Sequence, residues 1–395
     1  GARHIGARGA HCRGACSGGA AMIAMPQIRA TPFHGRAAAN NPLNRWAARN
    51  GFTLAQDYGD PQAEALAART NVVLADISWR WRVFLEGAQA SACFSRLTTK
   101  NVGPLTPGHA LKALWLNDGG AVRGAGVIAR YAGDQVLLVS AATDAGWIAE
   151  AARQYEVSVR DVTELEGGLA LIGPHAEAVL KAAGLAAEIP PLGFQKLFWR
   201  GLDVTISRWG ELNGYEIWCK ADDCFALWER LMRDGAPFGI RPAGLAATDI
   251  LDVEAGIPRP ARDYVPADDG FASEPTPASL GLESLIDEYH VSFNGRVAWL
   301  ANRAQSKTVV AGIEIDSETP APFVPLLCQG RGVGHTLTSV RSPFLRRAIA
   351  LVLIERPLAK PGTEFTLALP LSLGSQKHRV VAARVVDLPF VESPK

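Results

Sequence analysis

No stretch of about 18 consecutive apolar residues occurs in the chain, so no ordinary membrane-spanning helix is expected. An excess of charge of one sign is also missing. Lysine and arginine number 40 against 39 acidic residues, which excludes a nucleic-acid binder that works by bulk positive charge. Cysteine is scarce and poorly spaced for metal. Cys12, Cys16, Cys93, Cys219, Cys224 and Cys328 form no C-x-x-C pair and have no zinc-like histidine spacing, so no metal site is expected. Cys219 and Cys224 stand near enough to approach each other, but free thiols are the expectation for a chain of this size. A nucleophile elbow, a P-loop and a dinucleotide fingerprint are all absent; GRGVGHT at 330–336 precedes a strand rather than a helix.

What remains is a 395-residue chain with 48% apolar and 20% charged residues, a composition that supports two or three globular domains. Residues 1–24 are basic, acid-free and rich in Gly and Ala, and are set apart as an extension outside the fold, with a natural start at Met22 or Met25. Asp60 and Pro61 mark the start of a helix reaching Thr70. Val72 to Leu85 alternates like one strand, and a helix follows over 88–102. Three short strands broken by turn residues precede a helix from Ala142 to Tyr155. Helices mixed with hairpins predict an α+β architecture rather than a doubly wound sheet. Residues 258–279, rich in Pro, Asp and Ala, form a loop long enough to suggest a functional role. From Thr308 onward TVVAGIEI, GVGHTLTSV, AIALVLI, TEFTLAL and KHRVVAARVV read as five strands of a small barrel or sandwich. The division expected is 25–300 for an α+β region of two intertwined subdomains and 301–395 for the β-barrel domain.

The run RWGELNGYEIWCK at 208–220 places one acid, Glu216, inside a strand pattern. A carboxylate heading into a core needs a partner. Either it points outward or pairs with an arginine such as Arg208, or it serves a ligand.

DYGDPQAEALAARTNVVLADISWR, LTTKNVGPLTPGHA, NDGG, GYEI, GLAATDILDVEAGIP and GVGHTLTSVRSPFLRRAIALVLIE, in this order, resemble the T-protein (aminomethyltransferase) family of the glycine-cleavage system, which includes folate-dependent demethylases. The resemblance spans residues 52–390 and implies a multidomain folate-binding fold closed by a C-terminal barrel, with tetrahydrofolate as cofactor. It implies that Glu216 accepts two pterin N–H groups, a charge-assisted pair. Trp209, seven residues earlier, would wall the ring, and Tyr215 is the weaker candidate because neighbouring strand residues face opposite sides. Trp79, Trp81, Trp209 and Trp218 are expected near the mouth, suiting an apolar or aromatic donor.

Departures from the family pattern are equally specific. Its acidic pair falls on Gly124-Ala125, beside Arg123, and Asp118 lies in a turn that needs no further role. Family arginines fall on Thr248 and Asp252, and Asp252 is expected to repel an anionic ligand. Glu254 is expected to be a structural acceptor. The stretch DEYHVSFNGRVAW lacks the cysteine of the iron–sulfur-assembly branch. No catalytic residue is assigned. The implied activity is transfer of a one-carbon group from a small methylated donor to tetrahydrofolate, a demethylase rather than an aminomethyl transferase. The alternative is a folate-binding protein or subunit working with a partner oxidase. A cytoplasmic location is expected.

Overall fold

The computed structural model describes residues 28–185, 188–210, 212, 214–268, 275–316, 319–370 and 378–392; the extension expected over 1–24 lies outside them. Two large sheets and a closed barrel make up the fold, with a small sheet of Arg29–Ala30, Phe52–Ala55 and Trp46–Arg49 at the side. The six-stranded sheet runs Phe194–Trp199, Leu202–Ser207, Gly214–Lys220, Glu166–Ile172, Val72–Asp76, Ile240–Ala243. The five-stranded sheet runs Ala110–Leu116, Val122–Ala132, Gln135–Ser140, Trp81–Glu86, Ser158–Asp161. Among the described residues no helix is long and apolar enough to cross a membrane.

The stretch read as one strand from Val72 to Leu85 is two. Asp76 Oδ1 accepts a hydrogen bond from Ser78 N at 2.9 Å, which turns the backbone out of the ladder. Val72–Asp76 pairs in the six-stranded sheet and Trp81–Glu86 in the five-stranded one. Residues between them, Trp79 and Arg80 included, therefore bridge two sheets. The helices are shorter than the patterns suggested. Ala90–Leu97 stops where Thr98 bonds back to the Phe94 carbonyl at 2.7 Å, and Ala145–Ala152 is likewise trimmed at both ends.

The barrel closes with six strands, Thr308–Ile315, Arg347–Glu355, Arg331–Ser342, Pro325–Cys328, Glu364–Pro370 and His378–Val386, one more than the five expected. Its core includes Ile313, Leu326, Val352, Phe365 and Leu367. Cys219 and Cys224 are free thiols with their sulfurs 3.5 Å apart in the core under the six-stranded sheet.

Two helices tie these layers together. Pro61–Thr70 starts as expected, with Asp60 Oδ1 accepting from Gln62 N at 2.9 Å and Ala63 N at 3.2 Å. Its Glu64 accepts from Gly244 N at 2.9 Å, at the start of helix Leu245–Glu254. At the other end Arg69 donates from Nε and Nη2 to Glu254 Oε2 at 3.0 and 2.8 Å. The second oxygen of Glu254 accepts from Ser342 Oγ of the barrel at 2.6 Å. Glu254 is thus a buried hub joining two helices and the barrel, as the structural-acceptor expectation had it. Removing one partner of a buried pair strands the other charge, so Glu254→Ala is expected to cost about 3–5 kcal/mol. Urea unfolding followed by circular dichroism checks this; a loss under about 1 kcal/mol would mean the hub is not needed.

Candidate functional site

Where the sheets and the loop after Glu254 converge lies a cleft with an empty volume of about 710 Å³, counting its open mouth. Val127 and Val139 of the five-stranded sheet, with Ala141 just after it, form one wall, and Ile257, Pro258, Tyr264, Leu282 and Leu285 form another. Pro258 to Tyr264 open the long loop singled out in the sequence. Asp268 further along it accepts from Arg123 and, at 3.1 Å, from Asn117 Nδ2. A second cavity of about 310 Å³ adjoins, bordered by Ala170, Ile172, Leu212, Gly214, Tyr215 and Glu216. Arg80, Gly210 and Arg259 border both.

Glu216 is 3% exposed on the strand Gly214–Lys220. Its partner is not Arg208. Arg80 Nη1 donates to Oε1, and Trp209 Nε1 donates to Oε2 at 2.8 Å with Trp218 Nε1 more distant at 3.4 Å. Arg208 instead lies 6.0 Å over the Tyr215 ring. The strand pleat explains the difference: Tyr215 packs with Ile217 and Cys219 against one core, while Glu216 and Trp218 face the other side. Burial raises the Tyr215 pKa above the ordinary phenol value.

Trp209 is buried, 5.4 Å from the Phe194 ring, and its indole N–H holds Glu216 while it borders the cleft. The other three tryptophans expected at the mouth sit elsewhere. Trp81 donates to Asp161 at 2.8 Å inside the five-stranded domain core. Trp218 lies under Arg82, 4.0 Å from its guanidinium carbon. Trp79 packs with Phe52, Leu54 and Leu245. An aromatic-lined mouth built from the four is therefore corrected to one indole.

Gly210 leaves the approach to Glu216 open: a Cβ there would stand 3.2 Å from Oε1. At Gly124 the reverse holds. A Cβ would fall 2.1 Å from the Trp115 ring, so the indole fills the space where the resemblance places a carboxylate. Trp115 Nε1 and Arg123 both bind Asp144, at 3.0 Å for the indole and 2.7 Å for Arg123 Nη2. Ala125 borders the cleft, and Asp118 is exposed in its turn.

Asp252 does not act as a repelling charge. Arg259 donates to both its oxygens at 2.9 and 2.8 Å, and Arg262 stands 3.6 Å away. Burial alone would raise its pKa; the charge and hydrogen bonds of Arg259, then Arg262 and Arg80, outweigh that and hold it below the ordinary carboxylate value. Thr248, the other lost arginine position, bonds back to the Leu245 carbonyl at 2.9 Å. His290 bonds the Ser95 carbonyl at 2.7 Å, and His335 packs on Phe323 in the barrel.

The residue bordering the cleft that sequence patterns missed is Arg80. It sits in a run that alternates like a strand, and its carboxylate partner is 136 residues away. The signal was the isolated acid itself, which required a cation from somewhere.

Residues 35–287 match the GCVT N-terminal domain family, and residues 309–392 match the glycine cleavage T-protein C-terminal barrel domain. An aminomethyltransferase of Moorella thermoacetica is 27% identical over 384 residues, covering 94% of this chain and 100% of that protein. One from Frankia alni is 30% identical over 349 residues, covering 86% of this chain and 93% of its own length. The crystal structure of glycine cleavage system aminomethyltransferase T from Bartonella henselae has the same fold, with a TM-score of 0.82 at 23% identity over 93% of this chain and 99% of that one. Tetrahydrofolate is the cofactor of this family. The chain therefore belongs to the glycine-cleavage T-protein (aminomethyltransferase) family.

Proposed function

We propose that this protein binds tetrahydrofolate in the cleft and transfers a one-carbon group from a small methylated donor, a demethylation rather than aminomethyl transfer. The observation that carries the reading is Glu216: a buried carboxylate bordering the smaller cavity beside the cleft, held by an indole N–H, with Gly210 leaving its approach open. The cleft's apolar walls suit a flat ring. Glu216 and Trp209 would hold and flank the pterin, and Tyr215, on the other face of the strand, would contribute only from the smaller cavity's edge. A carboxylate offers about four lone-pair sites, and Arg80 and the indoles already use some of them. Two pterin N–H groups therefore compete with Arg80 for Oε1.

When bound, tetrahydrofolate supplies the nitrogen that accepts the methyl carbon, while the donor heteroatom keeps the bonding electron pair and takes the displaced N–H proton. Glu216 fixes the ring and Trp209 fixes Glu216. Val127, Val139 and Leu285 would give the bound ring apolar walls. Two features favour a donor other than an aminomethyl carrier. Trp115 occupies the place where the resemblance puts an acidic residue, and neither Thr248 nor Asp252 can act as the arginine the resemblance puts at its position.

Restoring the acid tests the first feature. Gly124→Asp is expected to destabilise by about 3 kcal/mol, since it drives a charged group into the Trp115 ring, whereas Ala125→Asp on the cleft side should fold normally. Thermal unfolding of both variants decides it; a stable Gly124→Asp protein would show the space to be available. For the cofactor, quenching of tryptophan fluorescence reports tetrahydrofolate affinity. Glu216→Gln is expected to weaken it about 10- to 100-fold, the worth of a charge-assisted pair of about 1.5–3 kcal/mol. Unchanged affinity would remove Glu216 from the site. Tight folate binding without methyltetrahydrofolate from any methylated donor would favour a binding subunit supplied by an oxidase.

A further inference from the structure

The pairing between Ala110–Leu116 and Val122–Ala132 slips once. Trp115 pairs with Gly124 and Leu116 with Val122, which leaves Arg123 as the extra residue of a β-bulge. A bulge re-aims the side chain it carries. Every nitrogen of the Arg123 guanidinium is engaged. Nε and Nη2 grip Asp144 at 2.9 and 2.7 Å, and Nη1 donates to Asp268. Asp144 fixes the arginine to its own sheet, and Asp268 is what the arginine holds.

Asp268 lies at the far end of the loop that walls the cleft. It takes a second hydrogen bond from Asn117 at 3.1 Å, and its neighbour Ala267 donates its N–H to the Val122 carbonyl at 2.9 Å. At the near end Arg259 is bound to Asp252. Between the two ends Pro260 and Tyr264 border the cleft. Residues 258–268 therefore form a strap pinned twice, and the pins differ. The Asp252 side chain is 8% exposed and that of Asp268 is 49% exposed. Solvent weakens an exposed pair, which makes the Asp268 pin the releasable one.

We infer that Arg123 is a positioning residue: through Asp268 it holds the strap, and Tyr264 with it, against the cleft, and release of this latch is the step by which the bound ring leaves. The inference rests on the reading that tetrahydrofolate binds in this cleft. Loop opening of this kind sets ligand release in many enzymes.

Two measurements on the full chain separate the latch from the ligand. Hydrogen exchange read by mass spectrometry follows the strap, and stopped-flow tryptophan fluorescence follows tetrahydrofolate dissociation. Asp268→Ala is expected to speed both by about three- to tenfold, the worth of one half-exposed ion pair and one further hydrogen bond. Its melting temperature should move by less than about 3 °C. Asp268→Glu should restore most of both rates. A change under threefold in strap exchange means there is no latch, and a freed strap with unaltered dissociation means the ring does not leave past it; either overturns the inference. Exchange that rises equally in Trp81–Glu86 and Gln135–Ser140 would make the role merely structural and also overturns it. Should Asp268→Ala fail to fold, Asp268→Asn is judged by the same thresholds. A wild type that binds no tetrahydrofolate, while Asp268→Ala still frees the strap, supports the latch and sinks the folate reading.

Discussion

Three donors, from Arg80, Trp209 and Trp218, converge on the buried carboxylate of Glu216. A buried carboxylate without partners would cost several kcal/mol, more than a marginally stable fold can spare. Trp209 arrives from the segment just before the strand and Trp218 from two residues beyond, so both indoles are local. Arg80 is not local. It comes from the turn that carries the chain from the six-stranded sheet to the five-stranded one. The ion pair consequently closes the gap between sheets, and the cavities form on either side of it.

The same logic recurs one layer out. Asp252 is held by Arg259, and Arg262 bridges Asp249 and Asp263 at 3.1 and 2.7 Å. Arg49 reaches Asp249 at 2.8 Å from the small sheet. Alternating charges hold the loop beyond Glu254 against the helix and fix Arg259 at the cleft. Behind them Glu254 links the helix pair to the barrel. Arg259 is therefore rigidly mounted at the cleft, which a binding site needs and a solvated surface arginine lacks.

Much of this was legible in the sequence and some was not, for identifiable reasons. Alternation made the barrel readable, but Pro325–Cys328 is only four residues long and opens on proline, so its strand was passed over. Apolar residues on both sides of Asp76–Arg80 hid the break between sheets, because the cause is one side-chain hydrogen bond at Ser78. Glu216 stood out as an acid in a strand, and the pleat correctly set Tyr215 on the opposite face. Its cation could not be read, since sequence neighbours such as Arg208 are the visible candidates and the true partner is distant in the chain. Asp252 looked repulsive for the same reason: a charge read without its partners has the wrong effective sign.

The central claim is that Glu216 exchanges Arg80 for a pterin ring. A crystal structure of the full chain with tetrahydrofolate bound tests it most directly. The ring should lie with two N–H groups on Glu216 and with Arg80 withdrawn from Oε1. An intact Arg80–Glu216 pair, with the ring bound elsewhere, would contradict it.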